Sequence, residues 1–192
     1  MALLIVGLIV FLGVHSVRIF ADDWRTAQIA RVGPKVWKGA YALLSLIGLV
    51  LIVYGYESAR QTPVVLYTTP PWTRHSAALL TLGAFVMIAA AYVPQTHIKA
   101  RIRHPMVAGV KVWAFAHLLA NGTLADVILF GSFLAWAILN YSAALRRDRV
   151  ANVGYVVGPL SRDLTAVAIG VATWIVFTFW LHEWLIGVRP LG

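Results

Sequence analysis

The chain has 192 residues, of which 60% are hydrophobic and 12% charged, and its formal net charge is +9. This composition excludes an ordinary soluble domain and is typical of an integral membrane protein. The absence of cysteine excludes disulfides, thiolate ligands and iron–sulfur clusters held by cysteine. The excess of basic residues does not indicate nucleic-acid binding, because they lie in short loops between apolar runs.

Five apolar runs are long enough to cross a bilayer as helices, a crossing that takes about 20 residues. They are Ala2 to Phe20, Val36 to Tyr56, His75 to Val93, Leu124 to Leu145 and Leu164 to Val188. The first run has no basic region before it and no small-residue cleavage site after it. We therefore expect it to be a transmembrane helix and not a removable signal peptide.

A sixth run, Pro105 to Ala120, is shorter and contains Lys111 and His117. Pro105 suits the first turn of a helix, and Asn121-Gly122 suits its end. A helix of this length spans a bilayer only when other helices surround it. The sequence therefore predicts a single all-α domain over residues 1–192, a polytopic membrane bundle of about six transmembrane helices, one of them short.

The basic residues support six spans. With the N-terminus outside, all but three of the 16 Lys and Arg residues fall on the inner side, as the positive-inside rule requires. The three on the outer side are Arg60, Arg74 and Arg189. Without the short helix, the cluster Arg146 to Arg149 would lie outside. We expect both termini on the outer side, which is the periplasm if the membrane is a bacterial inner membrane.

Two histidines, His15 and His117, fall well within predicted spans. Ionisable side chains at membrane depth are costly and usually functional, and imidazole is a common ligand of haem iron. His104 lies on a different face of the short helix from His117, so a ligand pair must come from two helices. His15 and His117 are the natural pair, although their predicted depths differ by about 10 Å. The alternative for each is a hydrogen bond to a neighbouring helix.

Four further residues are predicted to contact a cofactor. Arg18 shares a helix face with His15, and Asn121 shares one with His117. His104 and Lys111, near the start of the short helix, would bind an anion or a haem propionate, with capping by His104 as the alternative. Asp126 is a candidate to orient an imidazole. Among the small residues, Gly48, Gly131 and Gly170 are predicted helix-packing positions.

The chain resembles the NnrU family in three places. The similar segments are His15-Ser16-x-Arg18, the stretch His104-Pro105-Met106-x-x-Gly109-Val110-Lys111-x-Trp113-Ala114-x-Ala116-His117-Leu118-Leu119-x-Asn121-Gly122 with the later Leu129-Phe130-Gly131, and the closing His182-x-x-Leu185-x-Gly187-Val188-x-Pro190. The similar segments occur in the same order and extend over the whole chain. The motif of the short helix is the most specific of them.

This resemblance implies a bacterial inner-membrane protein associated with denitrification. The family is similar to the plastid 15-cis-ζ-carotene isomerase, a haem b membrane enzyme whose essential histidines correspond to His15 and His117 of this chain. The resemblance thus implies haem b as cofactor, and either cis–trans isomerisation of a lipid-soluble polyene or redox and nitric oxide chemistry. Where the plant isomerase has a cysteine, this chain has Ala114, so a thiolate ligand is excluded here.

Two other functions remain open at this stage. The basic run before His104-Pro105, with a glycine four residues later, resembles membrane methyltransferases that bind S-adenosylmethionine. The acidic residues that such enzymes use after the fifth span are missing. A non-catalytic assembly factor for a membrane reductase is the third reading. The predicted partners are membrane lipids, a polyene or a reductase, and no nucleic acid.

Overall fold

The computed structural model of the protein describes residues 1–191, and the regular elements within them are helices, apart from an isolated β-bridge between Val65 and Thr123. Nine α-helices and one π-helix follow each other along this part of the chain. They are α1 (Ala2–Phe20), α2 (Asp22–Val32), α3 (Pro34–Gln61), α4 (Trp72–Tyr92), α5 (His97–Ile102), α6 (Pro105–Ala120), α7 (Leu124–Val150), α8 (Ser161–Val176), the π-helix (Phe177–Leu181) and α9 (His182–Ile186).

The predicted bundle is confirmed. Five helical segments are long and apolar enough to cross a membrane: α1, α3, α4, α7 and the continuous stretch from α8 to α9. The sixth, α6, has 16 residues and runs from Pro105 to Ala120 as predicted. Many large apolar side chains of α3, α7 and α8 are exposed, such as Leu43 and Ile138. Exposed apolar surface on this scale is typical of a protein that faces lipid.

The spans pack in a row whose order differs from the order along the chain. α3 packs on α1, α1 on α7, α7 on α6, α6 on α4, and α4 on α8. One end of the bundle contains the C-terminus of α1 and the N-terminus of α3, and we call it the basic end. We call the other end of the bundle the opposite end. α7 therefore lies between α1, which carries His15, and α6, which carries His117.

The contact between α1 and α3 depends on glycine. A Cβ atom at Gly48 would lie 2.7 Å from the backbone nitrogen of Phe11, and one at Gly7 would lie 2.6 Å from that of Ile52. Both distances are shorter than real contacts allow, so the two backbones touch directly. Small residues allow this close approach in membrane bundles, where dispersion contacts replace the hydrophobic effect as the driving force. Gly48 and Gly170 are packing positions as predicted, whereas Gly131 has no neighbour within 4 Å.

The α3–α4 loop closes the end of α6. The Tyr67 hydroxyl lies 2.5 Å from the carbonyl oxygen of Leu118 and 2.8 Å from that of Asn121, and the Thr69 hydroxyl donates to the carbonyl of Ala120. Burial and the charge of Asp126 raise the pKa of Tyr67, so its hydroxyl stays a donor at neutral pH. The terminal carbonyls of a helix lack partners within it. A short span can therefore end below the membrane surface without leaving its carbonyls unpaired.

Three elements were not predicted. α2 lies across the basic end between α1 and α3, and Trp24 on it packs edge-on against Trp37 at 5.9 Å between ring centroids. α5 is a single short helix before α6. The π-helix interrupts the last span at Phe177–Leu181, where the sequence predicts continuous α-helix.

The direct backbone contact at Gly48 predicts a specific stability effect. In Gly48→Ala the added methyl group must push α1 away from α3, and overpacking of this kind costs about 1–3 kcal/mol. We expect a lower thermal unfolding temperature in detergent. Gly39→Ala, on the same helix with no neighbour within 4 Å, is the matched control. It should keep or raise the unfolding temperature, because alanine favours helix by about 1 kcal/mol. Equal effects of the two changes would contradict the account of this interface.

Candidate functional site

His15 is held on α1 by its own helix. Its Nδ1 lies 2.6 Å from the carbonyl oxygen of Phe11, and its ring stacks on the Phe11 ring at 4.2 Å between centroids. A carbonyl oxygen only accepts, so Nδ1 carries the hydrogen and Nε2 of the neutral ring keeps a lone pair. Tyr41 of α3 and Trp136 of α7 flank the ring at 5.1 and 6.1 Å.

His117 repeats this arrangement on α6. Its Nδ1 donates to the carbonyl oxygen of Trp113 at 2.9 Å, and its ring stacks on Phe130 of α7 at 4.5 Å. Within residues 1–191, neither Nε2 atom has a hydrogen-bond partner. Neither imidazole therefore forms the interhelical hydrogen bond that was the alternative to a ligand role. In the neutral form of each ring the lone pair is on Nε2, which is the nitrogen able to bind a metal.

The two histidines lie on the two sides of an aromatic cluster. Phe133 of α7 sits between the helices, 5.8 Å from the Phe11 ring and 5.6 Å from the Trp113 ring. Phe11 in turn stacks on His15, and Trp113 contacts His117 at 5.0 Å. A continuous path of ring contacts therefore joins the two imidazoles through Phe133.

The imidazoles differ in depth. His15 lies at the level of Trp136 on α7, and His117 at the level of Phe130. Six residues of helix separate these positions, which corresponds to about 9 Å at 1.5 Å per residue. This separation is close to the offset expected from the sequence. Among the described residues, no group of three or more His, Asp or Glu side chains is arranged to hold a metal ion. A bis-imidazole site needs only two.

One buried polar atom near His15 has no partner. The indole Nε1 of Trp136 is shielded from solvent, and within residues 1–191 nothing accepts its hydrogen. An unpaired buried donor costs about 1–3 kcal/mol, so such atoms are uncommon and often mark a site for a missing acceptor.

The family follows from comparison with known proteins. The family model described as NnrU protein matches residues 3–190. The chain belongs to the NnrU family. No curated relative and no solved structure matches it. The matched residues include His15, His117 and the aromatic residues between them.

Asp126 of the NnrU protein does not contact His117 by a hydrogen bond. It accepts hydrogen bonds from the hydroxyl of Tyr56 at 2.5 Å, and from the hydroxyl and backbone N–H of Thr123 at 2.6 and 2.9 Å. Thr123 and Asp126 together form a capping box at the start of α7. The carboxylate thus joins α3 to α7, and the predicted role in orienting an imidazole belongs to the Trp113 carbonyl instead.

All four predicted cofactor contacts have partners within the protein. His104 Nε2 donates to Asp148 at 2.9 Å, and the Lys111 ammonium lies 4.7 Å from the centre of the Tyr141 ring. The Asn121 amide donates to the backbone carbonyl of His117, at the end of α6. Arg18 is largely exposed one turn after His15, 4.0 Å from Asp22. Of the four, Arg18 and Asn121 are next to the imidazoles, whereas His104 and Lys111 belong to the basic end.

Sequence reasoning missed Phe133 and Trp136. Both lie in the predicted α7 span, but nothing in its apolar pattern shows which face turns towards α1 and α6. It also missed that His97 binds Asp163 of α8 at 2.8 Å, which ties α5 to the last span. The acid is 66 residues away, and no local pattern connects the two.

The hydrogen bond between Tyr155 and Asp148 at the basic end predicts that the stability of the protein depends on pH. The Tyr155 hydroxyl donates to Asp148 at 2.6 Å, and burial together with this bond raises the pKa of Tyr155 to about 12. Between pH 10 and 12 the folded protein keeps a proton that the unfolded chain releases, so stability falls as pH rises through this window. Tyr155→Phe should show a smaller fall in unfolding temperature from pH 10 to 12. The exposed Tyr92→Phe is the control, and an unchanged fall in Tyr155→Phe would contradict the assignment.

Proposed function

We propose that this NnrU protein binds haem b, and that His15 and His117 are the residues that would hold the iron. The observation that carries the proposal is the shared state of the two imidazoles. Each donates Nδ1–H to the carbonyl four residues earlier and leaves Nε2 free, on helices that pack on opposite sides of α7. A hydrogen bond at Nδ1 fixes ring orientation and raises ligand basicity, as found for metal-ligating histidines.

The residues between the imidazoles are aromatic and apolar, as a porphyrin ring requires, but as packed they do not fit a porphyrin, because Phe133 lies between the walls and the imidazoles differ in depth by about 9 Å. Phe11, Trp113 and Phe133 are aromatic, and Trp136 offers an unpaired donor. In the packing described above, Phe133 fills the space between the other two rings. Binding a porphyrin there therefore requires Phe133 to turn aside, since its ring contacts both sides.

Haem b would supply an iron capable of redox chemistry and of binding an exogenous ligand. The chain's own residues hold and orient: the Phe11 and Trp113 carbonyls fix the two imidazoles, and the apolar walls exclude water. We propose a polyene isomerisation or a redox and nitric oxide step linked to denitrification as the reaction. The resemblance to carotene isomerase supports the first, and the family's link with denitrification supports the second.

For location, we propose the bacterial inner membrane with both termini in the periplasm. The separation of basic residues to one end of the bundle supports this orientation. A membrane reductase is the partner expected for an assembly role. Co-purification with a reductase subunit would support the assembly role. Turnover by the isolated protein would support the role of an enzyme.

The ligand assignment predicts an absorption spectrum. Protein purified from cells supplied with ample haem should show a Soret band, because the Nε2 atoms of His15 and His117 have no hydrogen-bond partner within residues 1–191 and would be available to the iron. His15→Ala and His117→Ala should each reduce haem retention strongly. His75→Ala, which removes an exposed imidazole at the start of α4, should leave the band unchanged. A colourless wild-type protein, or equal spectra for all three variants, would contradict the proposal.

The position of Phe133 gives a second test. Phe133→Ala removes the ring that separates Phe11 from Trp113, so haem should bind faster, by about tenfold if displacing the ring costs about 1.4 kcal/mol. Phe179→Ala, at an exposed position in the π-helix, is the control and should not change the rate. The rate of haem binding is measured by stopped-flow absorption, as the growth of the Soret band. Slower binding in Phe133→Ala would show that the ring supports the site and does not obstruct it.

A further inference from the structure

We propose that a cleft at the basic end, between the α5–α6 junction and the end of α7, binds the phosphate of an anionic phospholipid. The cleft has a volume of about 320 Å³. The inference goes beyond the haem proposal and does not depend on it, since neither candidate iron ligand lines the cleft. We call it the arginine cleft, and the residues that line it are Arg103, Asp148, Arg149, Asn152 and Val153.

The arginine cleft contains hydrogen-bond donors that the described part of the chain does not use. Within residues 1–191, the guanidinium groups of Arg103 and Arg149 form no hydrogen bond and no ion pair. Both residues are exposed. A guanidinium group carries five N–H donors and no acceptor, and its planar shape matches two oxygens of a phosphate or carboxylate. Two such groups in one cleft therefore favour an oxyanion as ligand.

The acceptors of the arginine cleft are already bonded within the protein. The Asp148 carboxylate accepts hydrogen bonds from His104 at 2.9 Å and from the Tyr155 hydroxyl at 2.6 Å, both at Oδ2. The backbone carbonyl of Asp148 accepts from the N–H of Val153 at 3.0 Å. Two cations thus line the cleft with a single carboxylate, and the excess of positive charge favours a negatively charged ligand.

Arg103 is held at the cleft by a strained turn. Its φ and ψ angles are 67° and −56°, and the N–H of His104 donates to the carbonyl of Ile102 at 2.8 Å. These features define a γ-turn of the rare, strained type. The Tyr141 hydroxyl of α7 donates to the same carbonyl at 2.8 Å, which fixes the turn against α7. Strain that the surrounding structure maintains is typical of functional sites, and a fixed turn spares a ligand the cost of ordering it.

The surroundings of the arginine cleft favour a lipid as the source of the anion. Beside the two arginines the chain exposes large apolar side chains, among them Val150, Val153 and Val156. Charged groups next to exposed apolar surface suit a ligand that has both a headgroup and acyl chains. The cleft also lies at the end of the bundle that we propose to face the cytoplasm. Basic pockets between transmembrane helices on that side of a membrane commonly bind anionic headgroups.

A soluble phosphate ester is the other source of such an anion. It carries the charge but has no acyl chains, so it gains nothing from the exposed valines. Glycerophosphoglycerol is the headgroup of phosphatidylglycerol with both acyl chains removed and has the same charge. The comparison of these two compounds therefore separates a lipid site from a site for soluble phosphate esters.

The test follows thermal unfolding of the purified protein in detergent during titration with phosphatidylglycerol, or with zwitterionic phosphatidylcholine of the same acyl chains. A ligand that binds the folded protein raises its unfolding temperature by mass action. We expect phosphatidylglycerol to raise that of the wild type more than phosphatidylcholine does. In the double variant Arg103→Gln/Arg149→Gln the half-maximal concentration of phosphatidylglycerol should rise about tenfold or more, because hydrogen bonds to a charged group are lost.

The matched control is Arg31→Gln/Lys35→Gln, which removes the same charge from exposed positions on α2 and α3 at the same end. It should keep the half-maximal concentration within about threefold of the wild-type value, because exposed charges outside the cleft are screened by salt. Equal losses in the two double variants would show a response to net charge alone and would overturn the proposal.

The wild type alone also gives a decision. Equal stabilisation by phosphatidylglycerol and phosphatidylcholine would overturn the proposal. Equal stabilisation by glycerophosphoglycerol would assign the cleft to soluble phosphate esters and overturn the lipid assignment. If the double variant does not fold, Arg149→Gln compared with Arg31→Gln replaces it, since substitution of an exposed residue without partners in residues 1–191 has little effect on folding.

Discussion

In an apolar bilayer every backbone N–H and C=O has to be satisfied within the protein, and an unpaired polar side chain is costly. This constraint explains the hydrogen bonds of the two imidazoles. His15 and His117 both lie in spans, and both donate Nδ1–H to the carbonyl four residues earlier. The bond is local, so it forms as soon as the helix forms. It places the hydrogen of the neutral ring on Nδ1 and the lone pair on Nε2.

The same constraint explains the hydrogen bonds at the opposite end of the bundle. α6 is too short to reach the membrane surface at both ends, and its last carbonyls are satisfied by Tyr67 and Thr69 from the α3–α4 loop. Asp126 is buried at the neighbouring helix start, with all its hydrogen bonds supplied by Tyr56 and Thr123. Against this pattern the unpaired Trp136 N–H is the exception within residues 1–191.

The sequence was sufficient for the parts of the fold that depend on composition and local pattern. The bounds of α1 and α6 follow from apolar runs and from Pro105 and Asn121-Gly122, and the structure confirms them. α2 could not be predicted, because a polar helix of 11 residues at a membrane surface has no strong periodic signal. The π-helix at Phe177–Leu181 could not be predicted either, since one extra residue in a turn leaves no mark in an apolar run.

The residues of the candidate site likewise include some that the sequence predicts and some that it does not. His15 and His117 stand out from the sequence, because imidazoles inside apolar runs are rare. Phe133 and Trp136 do not, because their importance comes from the packing order that places α7 between α1 and α6. Packing order depends on contacts between residues far apart in the chain, such as Gly48 with Phe11. For His104 the sequence favours a cap or an anion site. In the structure its Nε2 donates a hydrogen bond to Asp148, which is 44 residues away.

The central claim is that two imidazoles from different helices bind one iron. Electron paramagnetic resonance of the ferric, haem-loaded protein at low temperature tests it most directly, because the spin state reports the axial ligands. The account predicts a low-spin, six-coordinate iron in the wild type, which becomes high-spin in both His15→Ala and His117→Ala. A high-spin signal in the wild type, or a low-spin signal that survives either substitution, would contradict it.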